Sequence, residues 1–263
     1  PIGSHLLIEA GRIKAHQLTD VSAHRSELPP VYNQLQRVED AADPAADAAQ
    51  MLYRPLFMTS FILDSFIAGS DYFGASDMIL TSASSKTALG LGLLLAQRKD
   101  VRVIGITGAS NVDFVEGLGC YDQVVTYDAI ESLDNSRTAT SVDMAGNGQV
   151  LASLHNHFGD NLKYSCLVGA THWDHLAGAR EMAGPKPEPF FAPGHIQNTD
   201  WGPGGLEASF AQAWEGLLAS VTSLITVHRA SDPEEIEAIY QRQLAGEATP
   251  DVGYVLNVPG PSS

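Results

Sequence analysis

Between residues 77 and 169 the chain alternates short apolar runs with small-residue turns and helical stretches, and this alternation limits the folds open to it. Residues 77–81 (DMILT) predict a short buried strand. A turn of small residues follows, Ser82-Ala83-Ser84-Ser85-Lys86-Thr87, and then a helix over 88–97 made smooth on one side by Gly90 and Gly92. Residues 101–107 predict a second strand, 111–118 a short helix closed by Gly119, and 123–127 a third strand. A fourth strand is expected over 141–144, ending at Gly146, and a fifth over 164–169. Strands alternating with helices at this spacing form a parallel sheet with helices on both faces. The right-handed crossover rule sets the hand of each unit. The expected fold class is therefore α/β, with a doubly wound parallel sheet.

The flanking sequence is less regular. Residues 39–47 (EDAADPAAD) read as a surface connector. A helix is expected over 56–68 from Leu56, Phe57, Phe61, Leu63, Phe66 and Ile67, stopped by Gly69 and Ser70. Beyond Pro185 the chain is rich in Pro and Gly. An amphipathic helix then starts near Leu206, carrying Phe210, Trp214, Leu217, Leu218 and Val221. Asp232-Pro233-Glu234-Glu235 opens another helix with proline at its start, and residues 253–256 predict a closing strand. The chain begins at Pro1 rather than Met and runs straight into strand-like sequence (Ile2, Ser4, Leu6, Ile8), so an N-terminal truncation is expected.

Composition removes several function classes. Fifteen Lys and Arg against 31 Asp and Glu leave a net charge of −16, which disfavours nucleic acid and anionic membranes as partners. No apolar run approaches the roughly 20 residues of a membrane helix. Cys120 and Cys166 make no disulfide framework and fit a reducing cytoplasm, with a single bridge left open.

A strand that runs through a tight turn into a helix presents bare N–H groups at the helix N-terminus, where unpaired donors and the helix dipole favour an anion. In open parallel sheets ligands bind beyond the carboxyl ends of the strands. The turn Ser82 to Thr87 sits at such a place. Its small residues let a diphosphate approach, and Ser84, Ser85, Lys86 and Thr87 add donors to Ser82 and Ala83. Neither GxGxxG nor GxxxxGK[ST] is present; Ser84, Ser85 and Ala88 stand where glycines are expected. A turn shaped only for close helix–sheet packing is the other reading of the same residues. The second strand ends Thr107-Gly108-Ala109-Ser110-Asn111, with no acid before Asp113. That leaves room for a ribose 2′-phosphate beside Thr107, Gly108, Ser110 and Asn111.

The segment from about Met58 to Gly169 resembles the cofactor domain of the zinc-independent medium-chain dehydrogenase/reductase superfamily, in its quinone and enoyl reductase branch. The likeness rests on Thr59-Ser60 for a Thr-Ala pair, on ILTSASSKTALG, on EGLGCYDQVVTYD, on SVDMAG and on the closing GYVLNV. More narrowly, PIGSHLLIEAGRI, ELPPVYNQ and the RPLF…TSFILD stretch resemble a bacterial family of unknown function within that superfamily. The resemblance implies a Rossmann-like domain over about 51–200, a partial GroES-like catalytic domain over 1–50, and a segment over 201–263 returning to it. It implies that Thr59, Tyr127, Ala145, Gly146 and Gly169 join the cofactor site, with Tyr127 near the 2′-phosphate. Superfamily members are usually oligomers, so a homodimer is expected. Three departures stand out: SASSKTA replaces the glycine turn, Asn111 and Val112 stand where a Lys is expected, and the front of the catalytic domain is not in the chain.

Other constellations compete. His172 and His175 with Asp174, together with His155 and His157, are a candidate zinc cluster, but no cysteine pair or HExxH accompanies them. These histidines are expected to line the cleft beyond the fourth and fifth strands or to lie on the surface. No GxSxG elbow is present, and Ala83 stands three residues before Lys86, so Ser-x-x-Lys is not met. Tyr32 and Asn33 lie in the proline-stiffened LPPVYNQ; Tyr32 is a candidate proton donor, or packs at a domain interface. Trp173, Trp201 and Trp214 are candidate pocket walls, with core packing the expectation for Trp214. The expected function is a cytoplasmic, metal-free, NADP(H)-dependent oxidoreductase acting on a small unsaturated carbonyl or quinone. A non-catalytic binding or scaffold relative is the alternative.

Overall fold

The computed structural model describes residues 7–15, 17–28, 30–37, 44–169 and 182–257. Contacts divide the chain into two compact units. Residues 1–48, 227–247 and 254–263 make one, and residues 49–226 with 248–253 make the other.

The first unit opens with β1 (Ala10–Gly11), β2 (Gln17–Asp20) and β3 (Gln34–Gln36), an antiparallel sheet in that order. The expected strand residues Ile2, Ser4 and Leu6 lie outside the described residues, and Ile8 precedes β1.

The second unit is built on a parallel sheet. Helix α1 (Pro44–Gly69) leads into β4 (Asp77–Thr81), α2 (Lys86–Arg98), β5 (Arg102–Thr107), α3 (Val112–Gly117), β6 (Gln123–Thr126), β7 (Ala139–Asp143), α4 (Gly148–Phe158) and β8 (Leu162–Leu167). A short edge strand β9 (Glu188–Pro189) follows, then α5 (Ala192–Asn198) and α6 (Gly205–Leu224). The strand order is β6-β5-β4-β7-β8-β9, with every pairing parallel. Toward the C-terminal end, β10 (Thr226–Ala230) and β11 (Val252–Leu256) pair in a two-stranded sheet, connected by α7 (Pro233–Leu244); α7 and residues 227–230 and 254–256 of these strands belong to the first unit.

The sheet is buried on both faces because successive side chains point to opposite sides. Met78, Leu80 and Val103 join the core with Leu63, Ile67, Leu91 and Leu95, toward α1 and α2. Ile79, Ile104 and Ile106 face the other way, onto Val150, Leu154 and Phe158 of α4. Helix α6 packs Phe210, Leu217 and Val221 into one cluster with Tyr53, Phe57 and Leu89. Trp214 lies against Phe57 and Phe210, as its helical setting predicts. Trp201 stacks on Phe61, and Trp173 lies outside the described residues.

Several expected boundaries move. Helix α1 begins at Pro44, so part of the expected connector is helical, while residues 38–43 lie outside the described residues. Pro55 sits inside α1 without ending it. Buried Tyr53, Phe57, Ser60, Asp64 and Ile67, spaced by four and three, carry one stripe past it, and that packing outweighs the lost backbone bond. Tyr127 starts a 3-10 turn beyond β6 rather than closing the strand. Helix α4, which the apolar pattern did not announce, is capped by Asn147, whose side chain accepts from the amides of Gln149 and Val150.

Candidate functional site

The chain leaves β4 for β5 on one side and returns to β7 on the other, so the strand order reverses between β4 and β7. At such a switch point the loops above adjacent strands diverge to opposite faces of the sheet, opening a crevice for a ligand. Ser82 to Thr87 lie above β4, and Ala145 and Gly146 above β7. Thr107, Gly108, Ser110 and Asn111 lie at the end of β5, Tyr127 beyond β6, and Gly169 beyond β8. The expected cofactor residues other than Thr59 therefore share the carboxyl edge of one sheet. Thr59 is half-buried on α1, beside Ser60.

Backbone geometry explains the composition of the turn. Ser82 has φ +49°, the left-handed region that favours glycine, and its hydroxyl lies 3.1 Å from the Tyr127 hydroxyl. Ala83 is fully buried, and its amide donates to the Ile106 carbonyl at 2.9 Å. Ser85 is the N-cap of α2 and accepts from the Ala88 amide at 3.3 Å. The Lys86 and Thr87 amides, in the first turn, have no intrahelical acceptor.

Three neighbours brace this turn. Tyr121 places its hydroxyl 3.2 Å from both the Ala83 and the Ala88 carbonyl, which share its single proton, and burial pushes its phenol well above the usual range. Ser60 on α1 donates to the Thr87 carbonyl at 2.7 Å. Gly90 and Gly105 make the approach possible: a Cβ on Gly90 would meet the Ser60 hydroxyl at 2.8 Å, and one on Gly105 would meet Ala83 and Tyr121 at 3.0 Å. Neither Tyr121 nor Gly105 stands out in sequence, and Ser60 does so only as part of the Thr59-Ser60 pair, since each acts through a contact with a distant element.

The polar groups suit a diphosphate in part. The Ser84 hydroxyl accepts from Thr107 at 3.3 Å and from the Asn111 amide nitrogen at 3.2 Å. With both acceptor positions filled, its own proton is left to donate elsewhere, as an anionic oxygen requires. Lys86 behaves differently: its ammonium donates to the Val252 carbonyl at 3.2 Å and lies 6.0 Å from the centre of the Tyr53 ring. Burial pushes that ammonium below its usual range, with Asp251 acting the other way. The turn therefore offers hydroxyl and amide donors, while its one cation is engaged with the chain's own backbone.

Two residues absent from the expected set hold the other side of the switch point. The Thr81 hydroxyl donates to Asp143 Oδ1 at 2.5 Å and accepts from the Met144 amide at 3.2 Å. Asp143 Oδ2 accepts from the Gly146 amide at 2.6 Å. The Asp143 backbone carbonyl accepts from Val168 and Gly169 at 2.9 and 3.3 Å. Both side chains are buried. Burial pushes the Asp143 carboxyl up, opposed by Thr81 and the amides of Gly146 and Ala145. Gly169 is glycine for space, since a Cβ there would fall 1.8 Å from the Met144 carbonyl oxygen. An acid closing a strand of small and β-branched residues (ATSVD) was the available sequence signal.

Tyr32 and Asn33 belong to the first unit. Arg25 donates to the Tyr32 carbonyl at 2.6 Å and to Asn33 Oδ1 at 3.0 Å, and Asn33 donates back to the Arg25 carbonyl. The Asn33 amide is thus committed to Arg25, while the Tyr32 side chain is exposed. The cleft placement expected of the histidines is corrected for His155 and His157, and the surface alternative for His155 alone. His155 and His157 lie on α4, away from the carboxyl edge. His155 is fully buried between Ser165 and the Ala183 carbonyl, and His157 lies 2.8 Å from the Leu133 carbonyl. A helix that must cover the sheet draws one of them inward, which spacing alone does not show. His172, Asp174 and His175 lie outside the described residues, and no metal-ligand cluster occurs among the described ones. Cys120 and Cys166 are free and buried. Among the described residues no helix is long and apolar enough to cross a membrane.

A doubly wound parallel sheet of this order, with a short-side-chain turn at its switch point, is a Rossmann-like α/β fold, and solved structures share it. CurA of Vibrio vulnificus, solved in complex with NADPH, is similar over 87% of this chain and 69% of its own, at 14% identity and a TM-score of 0.56. A thermostable alcohol dehydrogenase from Pyrobaculum aerophilum is similar over 86% and 61%, at 14% identity and a TM-score of 0.50. No curated protein matches the chain. The chain belongs to the family described as Protein of unknown function (DUF2855), whose model matches residues 1–249.

Proposed function

We propose that this protein binds NADP(H) at the carboxyl edge of its parallel sheet and acts as a metal-free oxidoreductase on a small unsaturated carbonyl, quinone or similar substrate. The observation that carries the proposal is the Ser84 hydroxyl beside the start of α2, filled as an acceptor by Thr107 and Asn111 and so poised to donate. In this reading Ser84 and the Lys86 and Thr87 amides hold the diphosphate. Thr107, Ser110, Asn111 and Tyr127 receive the ribose and its 2′-phosphate, where no acid precedes Asp113. The shared fold with CurA, solved with NADPH, supports the same cofactor.

The bound cofactor supplies the hydride, and the chain's residues bind it, orient it and exclude water. Proton delivery to the substrate is assigned to Tyr32 or to a water. Titration with NADPH, followed by its fluorescence and by the melting temperature, tests the reading. A ligand at a hundredfold excess over its dissociation constant stabilises by about 2.7 kcal/mol. If millimolar NADPH shifts neither signal, the proposal fails.

One observation favours the alternative of a non-catalytic relative. Ser82 keeps a side chain at a left-handed position where a glycine would let a ligand approach the backbone more closely. Bound NADPH without turnover on enones, quinones or aldehydes would favour that alternative.

A further inference from the structure

Three strand ends meet at one residue. Asp143 closes β7, its carboxylate holds Thr81 of β4 and Gly146 of the following loop, and its carbonyl holds the amides of Val168 and Gly169 beyond β8. The hydrogen-bond directions are fixed. The Thr81 hydroxyl has one proton, and an ionised Asp143 can only accept, so Thr81 donates to Asp143 while its oxygen receives the Met144 amide. Asp143 must then accept at both oxygens from two different donors. A carboxylate can do this, whereas an amide has a single acceptor and would turn its NH2 toward one of the donors. Thr81 and Asp143 are both buried, and no cation among the described residues contributes to the electrostatics of this carboxyl. A buried carboxylate without a counter-charge is an expensive way to gain stability.

From this geometry we infer that Asp143, acting through Thr81, is a positioning residue that holds loop 144–146 against the end of β4 and so prearranges the dinucleotide site. The inference rests on the cofactor reading given above. It adds a residue pair that touches no diphosphate donor of the 82–87 turn and governs binding from the opposite lip of the switch point. Loss of the pair frees the loop to drift relative to β4, and a ligand that spans both lips then has to order it on binding.

NADPH affinity tests the pair by fluorescence titration of the wild type, D143N, T81V and T81S. Each protein is kept about 15 °C below its own melting temperature, so that loss of folding does not count as loss of binding. D143N and T81V are expected to weaken NADPH by about tenfold or more, and T81S, which keeps the hydroxyl, to stay within about threefold of the wild type. A general loss of stability would move melting temperatures and leave the NADPH affinity of the folded protein unchanged. Should D143N fail to fold, the T81V and T81S pair decides. NADPH binding by T81V at wild-type affinity overturns the inference and leaves the cofactor reading standing; a wild type that does not bind NADPH overturns both.

Discussion

Replacing Gly90 by alanine tests whether close packing of α1 on α2 is what shapes the turn below the site. A Cβ at position 90 would lie 2.8 Å from the Ser60 hydroxyl, 3.0 Å from a Phe57 ring carbon and 3.1 Å from Ser60 Cβ. Ordinary contact begins near 3.4 Å, so Ser60 must retreat by about 0.6 Å, on the repulsive side of a steep potential. Its hydroxyl already donates to the Thr87 carbonyl at 2.7 Å, and a retreat of that size weakens or breaks the bond. Overpacking costs about 1–3 kcal/mol. A lost hydrogen bond adds about 1 kcal/mol. Against these stands the gain of about 1 kcal/mol for alanine over glycine inside a helix. Cost wins, and Gly90→Ala is expected to destabilise by about 1–3 kcal/mol, lowering the melting temperature by about 2–4 °C for each kcal/mol. Gly216 is the internal control: it lies inside α6 with nothing within 4 Å of the place a Cβ would take, so the same change there should stabilise by about 0.5–1 kcal/mol. Urea unfolding followed by circular dichroism measures both. If Gly90→Ala matches Gly216→Ala in sign, steric closeness between the helices is not what selects glycine.

Two further expectations concern the brace and the buried histidine. Tyr121→Phe removes the hydroxyl whose single proton the Ala83 and Ala88 carbonyls share, and should lower unfolding stability by about 1–3 kcal/mol by leaving the Ala83 carbonyl short of a donor; a change under about 0.5 kcal/mol would show that the turn needs no strut. Burial lowers the His155 pKa, so the folded state binds fewer protons at this ring than the unfolded state does. Its stabilisation is complete above the unfolded value of about 6.5 and is lost as pH falls through that value toward the lower folded one. Urea midpoints measured from pH 7.5 to 5.5 should therefore fall less steeply in His155→Gln than in the wild type, and equal slopes would sink the assignment.

Local pattern alone determined much of the second unit. Five of the six strands of the sheet were legible, because strands of four to six residues with apolar centres must be buried on both faces, and small residues with glycine mark where they end; the short edge strand β9 carries no such pattern. The same pattern located the carboxyl-edge loops, since every strand-to-helix turn of a parallel sheet lies at one edge. Tertiary structure decided which side chains act there. Lys86 looks in sequence like a phosphate ligand, yet its long stem reaches the 251–252 segment, more than 160 residues away in the chain. His155 looks like a metal ligand, yet it fills a buried place between α4 and β8. Thr81 and Asp143 are 62 positions apart and become partners only when β4 and β7 lie side by side. Sequence order records backbone preference and periodicity over a few residues; the direction of a side chain and the partner it finds depend on strand order and helix packing, which no local pattern contains.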